Sequence, residues 1–201
     1  MSEVGIGIIG FGWFAQLIAE SIADAPELRL VAVAETNFKR RQLLRTKVPH
    51  VRSYQAADQL LADKDVTVVV VATPPITHAD LGKKVLSAGK HLFLEKPGAL
   101  SLEEMAELKK LAHKYSLKAS IDFVMRRNPL YFILNKLQGD SVFGEPERAL
   151  LENYAHDDHL DPHHWFWDKT KSGGIWIEHG VHFFDLAHWL LGPVSKVWAT
   201  S

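Results

Sequence analysis

Three sets of residues in this 201-residue chain have types and spacings suited to chemistry. The first is Gly10-Phe-Gly12-Trp13-Phe14-Ala15, which reads G-x-G-x-x-A. In such a turn Gly10 allows the tight bend, Gly12 lets the backbone approach a pyrophosphate, and Ala15 packs the following helix closely on its sheet. Trp13 and Phe14 open that helix, whose free N–H groups and positive dipole end face an anion. Glu35 lies 23 residues beyond Gly12, where a carboxylate can accept hydrogen bonds from both hydroxyls of an adenosine ribose. It would repel a 2′-phosphate, which favours NAD over NADP, although Lys39, Arg40 and Arg41 pull the other way. The second set is Glu95-Lys96-Pro97. An ammonium placed there can hydrogen-bond a substrate hydroxyl and favour the alkoxide that develops during hydride loss, with Glu95 orienting it or the cofactor. The third is Glu178 and His182, spaced i, i+4 and expected on one helix face. A neutral imidazole is the best side-chain base near neutral pH, and Glu178 would hold the ring or contact the substrate. Each set also has a plainer structural reading: a phosphate-free turn, a solvated lysine, and a helix-capping glutamate beside a core histidine.

The elements that must position these residues are legible in the hydrophobic pattern. Strands are expected at Val4–Ile9, Leu28–Ala34, Val48–Val51, Val66–Ala72, His91–Leu94 and Leu117–Ile121. VTVVVVA (66–72) does not alternate, as in a parallel strand buried on both faces. Helices are expected at Phe14–Ala25, Asn37–Thr46, Ala56–Ala62 and Thr77–Ala88, with Gly89 as a stop. Ser101 and Glu104 form a capping box for a further helix through Tyr115. Strand and helix alternate six times, which predicts an α/β fold with a Rossmann-type parallel sheet over residues 1–122. Thr73, Pro74 and His78 follow the central strand and become candidates to line the cofactor.

Beyond Asp122 the pattern changes, so residues 123–201 read as a second, partial substrate domain of α+β type. A helix is expected over 128–138, strands at Glu147–Tyr154 and Val194–Thr200, and one helix from Ile177 to Leu191 after Gly173-Gly174. Seven of the 11 histidines fall here, four of them (His156, His159, His163, His164) in an Asp-rich stretch. They offer a zinc site as one reading, but no regular ligand spacing stands out, so no metal is assigned. Trp165, Phe166, Trp167 and Trp176 are candidates for an apolar wall against a sugar face, or for core.

Composition narrows the classes. With 23 basic and 24 acidic residues the net charge is −1, which gives no electrostatic case for a nucleic-acid or acidic-membrane partner. The absence of cysteine excludes disulfides, a thiol nucleophile and thiolate metal sites. No apolar stretch approaches membrane-spanning length and the N-terminus does not resemble a signal peptide, so a cytoplasmic protein is expected.

Taken together, IIGFGWFA (8–15), AVAETN (32–37), VVVVATPPITHAD (68–80), HLFLEKPGAL (91–100) and SGGIWIEHGVHFFDLAHWLLG (172–192) resemble the glucose-fructose oxidoreductase / inositol dehydrogenase / rhizopine catabolism (Gfo/Idh/MocA) group of oxidoreductases. The resemblance implies a Rossmann domain, a second domain with a large open sheet, and NAD- or NADP-dependent chemistry on sugars, sugar acids, cyclitols and related polyhydroxy compounds. It places the family's catalytic lysine on Lys96, followed by a proline that is often cis, and its catalytic histidine on His182. The family's aspartate four residues earlier is Glu178 here, one methylene longer, which would remodel the substrate site. Arg126 or Arg127 falls where relatives carry a basic residue. Relatives run well beyond 300 residues, so this chain is expected to be one part of a larger protein. Strands of the second sheet would be missing, and a homo-oligomer would form in the full-length state. The alternative is a dinucleotide-binding sensor or regulatory protein without turnover.

Overall fold

The computed structural model describes residues 3–140, 144, 146–154 and 160–200. Six strands form one wholly parallel sheet: β1 Val4–Ile9, β2 Leu28–Ala34, β3 Arg52–Tyr54, β4 Val68–Val71, β5 His91–Leu94 and β6 Ala119–Ile121. Their order is β3-β2-β1-β4-β5-β6. This is the doubly wound arrangement in which the direction of winding reverses between β1 and β4, opening a crevice at the strands' C-terminal ends.

The crossovers are α1 Trp13–Ala23, α2 Phe38–Lys47, α3 Ala57–Leu61, α4 His78–Ser87 and α5 Leu102–Lys114. One face of the sheet packs Ile6, Ile8, Val33 and Val70 against Ala15, Ala19 and Ile22 of α1 and Leu44 of α2. The other packs Ile9, Val69, Val71, Leu92 and Leu94 against Leu60, Val85, Leu86 and Leu108 of α3, α4 and α5. Alternate residues of β1 and β4 serve opposite cores, which is why their sequences are apolar at every position. Burying side chains such as Ile8, Val69 and Leu86 contributes about 1.5–3 kcal/mol each. The helix starts follow local chemistry: Asn37 accepts from the Arg40 N–H at 3.1 Å, and Ser101 and Glu104 form the expected reciprocal cap.

The third strand is displaced from its expected place. Val48 caps the C-terminus of α2 and Val51 is buried just before the strand, which pairs Arg52–Tyr54 with Ala32–Ala34. The apolar residues thus belong to the helix-to-strand link rather than to the ladder.

The second part continues through a 3-10 turn Val124–Arg127, α6 Pro129–Gly139, a 3-10 turn Trp165–Trp167, α7 Lys169–Ser172, α8 Ile175–Glu178 and α9 Val181–Leu191. Neither expected strand forms: 147–154 and 194–200 carry no ladder, and Leu150, Tyr154, Val197 and Trp198 are exposed. A strand exists only through its partner, and no described residue pairs with either segment. The single helix expected over 177–191 is two pieces. At the break the Gly180 N–H donates to the Ile175 carbonyl at 2.8 Å, a five-residue step. A Cβ on Gly180 would lie 2.7 Å from the Trp176 carbonyl oxygen, so only glycine allows this close return of the chain.

Candidate functional site

The turn between β1 and α1 lies at the point where the winding reverses. Gly10 has φ +91°, and a Cβ there would come within 2.5 Å of the Ala72 carbonyl oxygen at the end of β4. The position therefore demands glycine for both conformation and space. Gly12 has open space where a side chain would begin, with nothing within 4 Å. The first intrahelical bond runs from the Gln16 N–H to the Gly12 carbonyl at 3.1 Å, and no side chain caps α1. The N–H groups of Trp13, Phe14 and Ala15 are thus left to the crevice, where they suit a phosphate. Trp13 is 73% exposed and Phe14 is half-buried.

Glu35 is buried at the end of β2. Its carboxylate accepts from the Phe11 N–H at 2.8 Å and the Asn37 N–H at 2.7 Å, so it ties the glycine turn to the start of α2. Each oxygen keeps a further lone pair for a ribose hydroxyl. The Arg40 guanidinium stands 3.8 Å away, and Arg41 donates to the Glu35 and Thr36 carbonyls at 2.6 Å each. Thr73 and Pro74, partly exposed after β4, reach the same crevice. His78 does not: it is fully buried, with both ring nitrogens 2.7 Å from backbone carbonyls, those of Pro97 and Thr73. Its ring joins two loops in place of lining the cofactor space.

Lys96 follows β5, so the sheet delivers it to the crevice. Its ammonium donates to Glu178 Oε1 at 2.5 Å and to the Glu178 carbonyl at 3.0 Å, bridging the two parts of the chain. Glu178 is buried, its Oε2 without a partner among the described residues. The helix break at Gly180 removes the shared face expected of Glu178 and His182, and the glutamate grips the lysine instead. His182 Nδ1 is buried without a hydrogen bond among the described residues. Burial first, then the Lys96 ammonium, push the imidazole down to about 4, with Glu178 and Asp185 pulling it back only in part. The ring is therefore neutral at pH 7, with a lone pair to offer.

Two arrangements here have no local sequence signal. Glu95, buried beside Lys96, receives the Lys96 N–H at 3.2 Å on Oε2, while Oε1 lacks a donor. The Asp122 carboxyl at the end of β6 is within hydrogen-bonding reach, and burial with that neighbouring charge pushes Glu95 well above the usual carboxylate range. Burial raises Asp122 as well. Both shifts favour retention of a proton on Glu95 beside Asp122. In the second arrangement Arg126 makes a bidentate pair with Asp185 of α9, at 2.8 and 2.6 Å, which anchors the helix carrying His182 to the turn after β6; Arg127 is exposed.

Trp176 is 69% exposed and stacks on Phe184 at 6.1 Å between ring centroids, outside any core. No three His, Asp or Glu side chains converge on a metal position among the described residues; His156 and His159 lie outside them. No helix among the described residues is long and apolar enough to cross a membrane.

Known proteins share this fold. The family described as "Oxidoreductase family, NAD-binding Rossmann fold" matches residues 4–123, and the "GFO/IDH/MocA C-terminal domain" matches residues 136–201. The inositol 2-dehydrogenase of Rhizobium meliloti is 30% identical over 194 residues, covering 96% of this chain and 57% of that protein. The myo-inositol 2-dehydrogenase of Thermotoga maritima is 26% identical, covering 96% and 57%. Among solved structures, GenD2 from gentamicin A biosynthesis in complex with NAD superposes with a TM-score of 0.81 at 25% identity, covering 96% of this chain and 54% of that one. The chain spans about half the length of the curated relatives it matches. With a glycine turn open to a phosphate, a lysine at the end of β5 and both family patterns in register, the chain belongs to the Gfo/Idh/MocA family of oxidoreductases with an NAD-binding Rossmann fold.

Proposed function

We infer that the protein of which this chain forms part or whole transfers a hydride between NAD and a polyhydroxy small molecule, a sugar, sugar acid or cyclitol. The observation that carries this reading is the meeting of Lys96 and Glu178 across 82 residues, with His182 beside them, at the strand ends next to the open glycine turn. The relatives named for inositol oxidation support the substrate class.

The residues fit the dinucleotide. Gly10 to Phe14 would hold its pyrophosphate, Glu35 its adenosine ribose, and Thr73, Pro74 and Glu95 the wall of the crevice. Glu35 at the ribose favours NAD over NADP. When bound, the cofactor supplies the hydride acceptor. Lys96 has three donors and gives two to Glu178, which leaves one for a substrate hydroxyl. Its charge favours the oxygen as it becomes negative. His182, neutral at pH 7, accepts the hydroxyl proton. Glu178 fixes the direction of the ammonium, and its unpartnered Oε2 offers an acceptor for a second hydroxyl.

The test is absorbance at 340 nm with NAD and a panel of sugars, sugar acids and cyclitols. An increase with at least one compound is expected, reduced by about 10²-fold or more in His182→Ala. Saturable NAD binding with no turnover across the panel would overturn the reading in favour of a dinucleotide-binding regulatory protein.

A further inference from the structure

The loops that follow β4 and β5 form two walls of the crevice, and the sheet ladder between them ends where the Glu95 N–H donates to the Val71 carbonyl at 3.0 Å. Beyond that bond, the polar contact between the two loops among the described residues is the His78 ring, whose single N–H in the neutral form can donate to one carbonyl. Nδ1 lies 2.7 Å from the Pro97 carbonyl and Nε2 lies 2.7 Å from the Thr73 carbonyl. The ring is wholly buried at the first position of α4, so water cannot replace either contact. Pro97 directly follows Lys96, and its carbonyl anchors the backbone on the C-terminal side of the lysine, as the Glu95 and Lys96 N–H groups anchor it on the other.

We propose that His78 is a positioning residue for Lys96: with its ring N–H on Nδ1 it donates to the Pro97 carbonyl, and so fixes the loop from which Lys96 reaches Glu178 and the substrate oxygen. The rigid five-membered ring sets the distance between the two loops. This proposal rests on the reading of Lys96 as the group that meets the substrate hydroxyl, but its consequence for the lysine can be measured without cofactor or turnover.

Two substitutions separate the ring's edges. In His78→Asn the amide nitrogen takes the place of Nδ1 and keeps a donor for Pro97. In His78→Gln it takes the place of Nε2 and keeps a donor for Thr73. The readout is the rate at which acetic anhydride acetylates Lys96 in the full chain, followed by peptide mass spectrometry. Buried Lys90, held by the Asp63 and Val66 carbonyls, is the internal reference for global loosening. The Asn variant should label at Lys96 within about twofold of the wild type. The Gln variant should label about fivefold faster or more at Lys96, with Lys90 unchanged. In a turnover assay the Gln variant should lose kcat more than it raises KM, with the Asn variant restoring most of kcat. Equal Lys96 rates in the two variants, or acceleration at Lys96 and Lys90 together, would overturn the proposal. Because labelling needs no ligand, a chain that binds no NAD would refute the proposed function while leaving this inference standing or falling by its own result.

Discussion

Replacing Glu95 with glutamine probes the proton held on this carboxyl beside Lys96. The Glu95 carboxyl is buried against Asp122, and burial with that charge moves it from the ordinary 4.5 up to about 8. In the unfolded chain Glu95 is ionised above its ordinary value; in the folded chain it keeps its proton until about pH 8. Folding therefore takes up a proton across this interval, and stability falls as pH rises through it, by at most about 1.4 kcal/mol per pH unit. His78 and His182 act with the opposite sign at lower pH. Their folded values are depressed, so the unfolded state binds protons first and stability rises with pH until both states are neutral. Above about pH 7 that contribution is nearly complete, with about 0.1 kcal/mol per histidine still to come, and the unit from pH 7 to 8 is dominated by the carboxyl pair. Over that unit the wild type should lose about 1 kcal/mol. Glutamine keeps the shape and donates an amide hydrogen to Asp122, so Glu95→Gln should be nearly flat with pH and about 1–3 kcal/mol more stable than the wild type at pH 8. Urea unfolding followed by tryptophan fluorescence and circular dichroism at pH 7, 7.5 and 8 measures both slopes. A flat wild type, or a variant that falls as steeply as the wild type, would refute the reasoning.

Other consequences follow from the same geometry. Gly12→Val places a side chain in open space, so thermal stability should change by less than about 1 kcal/mol while NAD affinity falls about 100-fold, read by thermal shift and titration. Glu178→Gln keeps the shape but removes the charge that grips Lys96; kcat should fall about 10-fold or more, with NAD affinity unchanged. Arg126→Ala leaves the buried Asp185 carboxylate unpaired and should cost about 2–4 kcal/mol in urea unfolding, much of it recovered in Arg126→Ala/Asp185→Ala.

What could be read from the chain in advance follows from how local each signal is. Val69, Val70 and Val71 serve both cores, so the run VTVVVVA announces a central parallel strand without reference to anything distant. The glycine turn is likewise a contiguous pattern. The pattern is complete within six positions even though the crowding at Gly10 comes from Ala72 and Thr73 at the end of β4, and the Ser101 cap is complete within four positions. The candidate site was legible in its members and less so in its wiring. The spacing of Glu178 and His182 predicts a shared face, but Gly180 breaks the helix by packing on the Trp176 backbone, and Glu178 turns to Lys96. That partnership spans 82 residues and leaves no periodic trace. The same holds for Asp122 beside Glu95, Asp185 beside Arg126, and the two carbonyls that claim His78. The strands expected at 147–154 and 194–200 have the right composition, but composition supplies no partner, and none is present among the described residues.

On this reading the glycine turn seats a dinucleotide beside Lys96. Isothermal titration of NAD into the folded chain, paired with the same titration into Gly12→Val, tests it most directly. One saturable site is expected in the wild type, lost in the equally folded variant. Heat of binding that is absent from the wild type, or identical in the two proteins, would contradict it.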